Sequence, residues 1–230
     1  MVNKQNEITS WFDETYTSKG FDYLRSVEAY EIFVRLLEPN PNSKHLDVAC
    51  GLGLLLKALE GNQVETYGVD ISPKAIEVCK EYCPNAHVQV ANAEQLPFES
   101  NFFDSVSCIG SLERMLDRNQ ALREQIRVAK KGAKICYMVR NSENFTWKYF
   151  QKPLNLYNKK GHQDALNKEK WEKLFSQNEL KVKAIYPDHW PYVKTIKTLL
   201  PWVKVDAGKI RKFPFNLELA YEFIFLLEKS

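Results

Sequence analysis

Apolar positions along this chain fall into two alternating patterns, short continuous runs and stretches with helical spacing. Glu28 to Leu37 carries the helical spacing and stops at Pro39. Pro39-Asn40-Pro41-Asn42-Ser43 is a turn cluster. His45 to Ala49 is a short apolar run that ends at Gly51 and Gly53 and predicts a strand. Leu54 to Glu60 reads as a helix, and Thr66 to Val69 as the second strand. Ser72-Pro73 opens the next helix, with a hydroxyl cap followed by a proline at the first helical position. Strands follow at His87 to Val90, Phe103 to Ile109 and Ala133 to Val139, with a helix at Asn119 to Val128.

This alternation predicts an α/β fold built on a mainly parallel sheet with helices on both faces. The carboxyl ends of the strands then share one edge, where such sheets bind ligands. After Arg140 the rhythm changes. Residues 141–163 are aromatic and polar without a clear period. Lys168 to Gln177 reads as a helix with Trp171, Leu174 and Phe175 on one face, and Val182 to Tyr186 as a sixth strand. Residues 190–212 read as irregular or partly helical, and Leu219 to Leu227 as a final strand. The simplest organisation is one domain over residues 1–230. It comprises N-terminal cap helices (1–40), a cofactor-binding core (45–140), and a substrate cap with the last strands (141–230).

Composition narrows the class. At 44% hydrophobic and 27% charged residues the chain is an ordinary globular protein, and its length allows a substantial core. No apolar run approaches the roughly 18–20 residues of a membrane span, and the polar N-terminus lacks a signal-peptide core, so a cytoplasmic protein without a stable membrane anchor is expected. The five cysteines form no zinc-type pair, and no His cluster supports them, so reduced thiols and no metal site are expected. Residues 141–230 hold 16 basic against 10 acidic side chains. These scattered lysines fit a solvated surface, with an anionic substrate or a membrane surface as the sharper alternative.

The candidate chemistry begins with Leu46-Asp47-Val48-Ala49-Cys50-Gly51-Leu52-Gly53. A strand running into Gly-x-Gly lets a ligand approach the backbone closely. Leu56 stands where a dinucleotide fingerprint has its third glycine, and no Lys-Ser or Lys-Thr follows. Both facts argue against a pyrophosphate or nucleotide-phosphate loop. Asp70 ends the second strand, where an acid accepts hydrogen bonds from ribose hydroxyls, and Asn92-Ala93-Glu94 follows the third, where an amide reads an adenine edge.

Taken with Gly68-Val69-Asp70-Ile71-Ser72, Ala93-Glu94-Gln95-Leu96-Pro97-Phe98 and Phe103-Asp104-Ser105-Val106, this loop resembles the class I S-adenosylmethionine-dependent methyltransferases. It is most similar to the branch that contains the ubiquinone and menaquinone methyltransferases. The likeness covers residues 45 to 140 and implies a seven-stranded, mostly parallel Rossmann-like sheet with inserted cap segments. It also implies roles for residues. Asp47, Ala49, Cys50, Gly51 and Gly53 line the methionine end of S-adenosylmethionine, together with Ile109. Asp70 holds the ribose, Ile71 packs on the adenine, and Asn92 and Ala93 sit at its edge. Two departures stand out: Ala49 replaces a common glycine, and Ser111-Leu112-Glu113-Arg114 replaces an acid-His pair. The histidine base of some relatives therefore has no counterpart at Arg114.

Methyl transfer is an in-line displacement, so alignment and exclusion of water do most of the work. The catalytic candidates are His162, Tyr16 and Glu113. The acceptor-binding candidates are Tyr16, Arg114, Trp147, Tyr157, His162 and Trp190. Their character suits a small aromatic or anionic acceptor. An RNA or protein methyltransferase and a non-catalytic cofactor-binding protein are the alternatives. The first lacks a nucleic-acid module, and the second must explain intact cofactor motifs. The sequence is silent on oligomeric state.

Overall fold

The structure, a computed structural model, describes residues 2–144, 148–149, 153–155, 164–209, 217 and 220–230. Seven strands form one sheet in the order β3-β2-β1-β4-β5-β7-β6. They are β1 (Lys44–Val48), β2 (Glu65–Asp70), β3 (His87–Val90), β4 (Phe103–Ile109), β5 (Ala129–Arg140), β6 (Leu180–Pro187) and β7 (Glu222–Lys229). β1 to β5 pair in parallel, and β7 lies antiparallel between β5 and β6. The expected mostly parallel Rossmann-like sheet is therefore present, and the one reversed strand is the last.

Alternation within the strands explains the layering. In β5, Ile135 and Tyr137 face one side with Phe223 and Phe225 of β7, packed with Leu122 of α5 (Arg118–Val128) and Trp171 and Phe175 of α6 (Lys168–Gln177). Cys136, Met138 and Ile224 face the other side, against Phe33 and Leu36 of α2 (Glu31–Leu37) and Leu55 of α3 (Leu54–Leu59). Both faces are covered, which is why these strands read as continuous apolar runs.

Helix starts follow the capping rules. Ser72 caps α4 (Pro73–Tyr82) by accepting from the Ala75 N–H at 3.0 Å, with Pro73 at the first position. Asp117 caps α5 through the Gln120 N–H at 2.9 Å. The stretch expected as one helix from Glu28 is instead a 3₁₀ turn, Val27–Tyr30, leading into α2. The region expected as irregular or partly helical contains α7 (Trp190–Leu199), and the final strand starts later than expected, where Glu222 pairs with Arg140. A long helix, α1 (Val2–Lys19), covers the carboxyl edge of the sheet. All five cysteines are buried free thiols.

The turn after β1 is tight. Ala49, Gly51 and Gly53 have φ of 60°, 53° and 87°. A Cβ on Gly53 would lie 2.5 Å from the Cys79 sulfur, so this glycine is required by both space and backbone angle. Ala49 adopts the same left-handed region with a side chain, a conformation that favours glycine. Ala49→Gly is expected to raise folding stability by roughly 1 kcal/mol, and Gly53→Ala to lower it by more than that. Thermal and denaturant melts of both variants check the two signs.

Candidate active site

The crevice lies where the strand order reverses, between β1 and β4. Asp70, at the end of β2, is its central side chain. One carboxylate oxygen accepts from the Gly51 N–H at 2.9 Å, and the other accepts from the Ser72 N–H at 2.9 Å. Burial pushes its carboxyl up to about 6, against the backbone N–H groups that favour the ionised form.

Asp70 faces a slot shared with Ala49, Ile71, Asn92, Ala93 and Met115. Its lining is mostly apolar, with Asp70 and Asn92 among its polar side chains. The Asn92 side-chain carbonyl accepts from the Glu94 N–H at 2.9 Å, and its NH₂ makes no hydrogen bond among the described residues. A donor and an acceptor pair are thus available in one slot, a combination that fits the adenine edge and the ribose diol of an adenosine. Ile8, Phe12 and Tyr16 of α1 roof the slot and leave about 60 Å³ of open space. That holds a few waters, so α1 side chains must shift to admit a nucleoside.

The roof is tied to the same corner. Asp13 of α1 accepts from the Ser72 hydroxyl and from the Lys74 N–H at 3.2 Å, at the first turn of α4. Phe12 stacks on Tyr16 with centroids 5.9 Å apart, and Arg114 lies 5.6 Å from the Phe12 ring. Burial, and then the neighbouring Asp70 charge, raise the Tyr16 phenol, which keeps it protonated as a hydrogen-bond donor.

A second hollow of about 260 Å³ adjoins the slot, and Tyr16, Ala49, Ser111 and Arg114 line both. Asp47, Cys50, Gly51 and Ile109 form its floor on the loop side. Asp47 is buried and accepts from the Ser107 hydroxyl at 2.6 Å, and desolvation lifts its carboxyl to about 7. Behind it, His45 contacts Ser105 at 2.8 Å and Ser107 at 3.0 Å, and burial lowers its imidazole to about 3. His45 is therefore neutral and positions Ser107.

The far wall of this hollow is charged. Arg25 pairs with Asp188 at 3.0 Å and with Glu222, whose other oxygen lies 3.6 Å from Arg140 Nε. Arg140 Nε is also 3.7 Å from Glu113, which is fully buried behind it. Burial first, and then Asp188 among its neighbours, raise the Glu222 carboxyl, while Arg25 opposes the rise. Tyr23, Tyr30 and Tyr221 complete the wall.

The residues expected from sequence thus distribute as follows. Asp70, Ile71, Asn92, Ala93 and Ala49 meet in the slot, and Asp47, Cys50, Gly51 and Ile109 in the hollow. Tyr16 and Arg114 stand at the junction. Gly53 lines neither and instead caps α3 against the thiols of Cys79 and Cys83. Trp190 lines a separate groove beside α7. Trp147, Tyr157 and His162 lie outside the described residues. Sequence reasoning missed Arg25, Arg140 and Glu222. A signal was present for Glu222, a lone acid near the start of an apolar run, but its partners are remote in the chain.

Residues 46–137 match the family model of the methyltransferase domain. Over 161 residues the chain is 28% identical to the ubiquinone/menaquinone biosynthesis C-methyltransferase UbiE of Geotalea daltonii, spanning 63% of this chain and 68% of that protein. It is also 28% identical, over 148 residues, to the demethylmenaquinone methyltransferase of Bacillus mycoides, spanning 58% of this chain and 62% of that one. The chain thus matches about two thirds of the length of these relatives. The YcgJ protein of Bacillus subtilis superposes with a TM-score of 0.60 at 22% identity, covering 87% of this chain and 95% of that chain. The matched domain, its order of motifs and the fold agree: residues 46–137 match a methyltransferase domain, and this chain is similar to the class I S-adenosylmethionine-dependent methyltransferases.

Proposed function

We propose that this methyltransferase acts on a small, ring-bearing acceptor with an anionic or hydrogen-bonding substituent. The observation that carries this reading is the hollow beside the methionine end of the cofactor slot. It is confined, walled by Tyr23, Tyr30 and Tyr221, and carries Arg140 and Glu222 at its far side. Phenol rings supply flat contact area, and the charged pair supplies direction. The names of the relatives support the same class, since they denote enzymes of quinone biosynthesis.

S-adenosylmethionine supplies an electrophilic methyl group on a sulfonium. Asp70 accepts from the ribose, and Asn92 donates at the adenine edge. Asp47 and the backbone of the Ala49–Gly51 turn surround the methionine portion. Tyr16 and Phe12 close over the junction and exclude water, which strengthens each polar contact inside. Arg114 and Arg140 orient the acceptor through its anionic side. Glu222, held by Arg25 and with its carboxyl raised by burial, is placed to take a proton from the acceptor. Most of the acceleration comes from alignment, worth roughly 7–11 kcal/mol when two reactants are held in near-attack geometry.

Four outcomes test this reading. Asp70→Ala is expected to weaken S-adenosylmethionine binding by about 1–3 kcal/mol, read by calorimetry, because charge-assisted hydrogen bonds are lost. Unchanged affinity would remove Asp70 from the site. Glu222→Gln is expected to leave donor affinity intact while reducing turnover of a hydroquinone or phenol acceptor by about tenfold or more. Equal turnover would place the base elsewhere. Asp13→Ala should speed donor release in stopped-flow experiments, since it frees α1 from α4.

The fourth outcome concerns pH. In the free protein the raised carboxyls of Asp70 and Asp47 contribute stability that is complete below their ordinary value of 3.8. That contribution disappears as pH climbs through about 6 and about 7. A cationic ligand favours their ionised forms, so donor affinity is expected to increase from about pH 5.5 to about pH 8 with release of protons. Titrations in buffers of different ionisation heat read that release directly, and a flat profile would contradict it.

A further inference from the structure

Five of the eight large hydrophobic side chains exposed among the described residues gather beside one groove: Phe21, Leu199, Leu200, Trp202 and Val203. The last four are almost consecutive, in Leu199-Leu200-Pro201-Trp202-Val203, where α7 ends. Leu199 is 69% exposed and Trp202 75% exposed. Such a run is an unusual thing to leave in water.

The tip is held outward by its flanks. On one side Val193 is buried, and Lys197 pairs with Glu28 of the turn before α2. On the other, Asp206 pairs with Arg35 of α2 at 3.0 Å, and Gly208 packs so closely that a Cβ there would meet the Arg35 guanidinium at 2.7 Å. Both ends of the segment are therefore fastened to the body, and the apolar residues between them project.

Charge selects the occupant. Residues 190–209 contain Lys194, Lys197, Lys204 and Lys209 against a single acid, Asp206, which Arg35 already engages. Lys194, Lys204 and Lys209 are exposed in the same segment. An exposed tryptophan and leucines ringed by lysines fit a lipid–water interface with anionic headgroups, where the apolar side chains enter and the ammonium groups remain at headgroup level.

We propose that the segment from α7 to Val203 docks this enzyme on an anionic lipid bilayer. The groove beside it, about 700 Å³, is lined by Trp190 and Lys194 of α7 and by Phe21, Leu24 and Arg25. Leu24 and Arg25 also line the acceptor hollow. Docking in this pose turns one approach to that hollow toward the membrane. Among the described residues no helix is long and apolar enough to cross a bilayer, so the contact is peripheral.

The test is co-sedimentation of the full chain with vesicles. Vesicles of phosphatidylcholine containing roughly a third phosphatidylglycerol should bind it at least about tenfold better than phosphatidylcholine alone, and added salt should release it. Leu199→Ser with Trp202→Ser, and separately Lys194→Glu with Lys204→Glu, should each reduce binding by about tenfold or more. Thermal midpoint and donor affinity should stay unchanged in both. No binding of the unmodified chain to anionic vesicles overturns the proposal, as does binding that neither pair of substitutions alters. A chain that is dimeric in solution, and that Leu199→Ser with Trp202→Ser renders monomeric without any vesicle binding, also overturns it, by assigning the surface to a second copy. The readout requires no methyl transfer, so it succeeds or fails independently of the acceptor assignment.

Discussion

Two backbone N–H groups from different loops converge on the carboxylate of Asp70, one from Gly51 and one from Ser72. Through it the turn after β1 and the start of α4 are held at a fixed separation. Ser72 passes the tie onward to Asp13, so the roofing helix hangs from the same corner. A buried carboxylate left without such partners would cost several kcal/mol. The glycine turn, the wall of the slot at Asp70 and the cover over it are thus three consequences of one satisfied acid. The left-handed backbone at Ala49, Gly51 and Gly53 is the geometric counterpart, because it aims the Gly51 N–H at that acid.

The charged wall of the hollow is built on a different principle. Asp188, Arg25, Glu222, Arg140 and Glu113 alternate in sign across five separate parts of the fold. Buried ion pairs of this kind seldom add net stability, because desolvation consumes most of the attraction. Their value here is positional. Each charge fixes the next, and the pair that borders the hollow, Arg140 and Glu222, cannot turn away without stranding another charge. A site that relies on alignment for its rate gains most from such fixed side chains.

How much of this was legible in the sequence depended on the range of the interaction. The strands and helices of residues 45–140 were readable because alternating runs, Ser72-Pro73 and the glycines are local signals. Asp70 was readable for the same reason, standing at the end of its own strand. Ala49 looked like a small departure, and only its φ of 60° shows it to be a strained one. The 3₁₀ turn ahead of α2 was hidden because its apolar spacing still resembles a helix. Arg25 and Glu222 were missed for a deeper reason: they are 197 positions apart, and only the insertion of β7 beside β5 brings them together. Gly53 was expected to touch the methionine end, yet packing against Cys79 explains its conservation of space without any ligand. Nothing in a linear reading distinguishes those two demands on a glycine.

The placement of β7 bears on how the polypeptide is made. β5 and β6 are both complete well before residues 222–229 leave the ribosome, yet they do not pair with each other. Until that strand arrives, each presents an unsatisfied edge, and the apolar faces around Tyr137 and Phe175 lack the Phe223 and Phe225 rings that finish them. Translation therefore passes through an interval in which most of the molecule is present but the β5 side of the sheet is open. Open edges of this type are where nascent chains associate wrongly and where chaperones engage. The last strand to be made is thus an inner one, and the same event that closes this side of the sheet delivers Glu222 to Arg25.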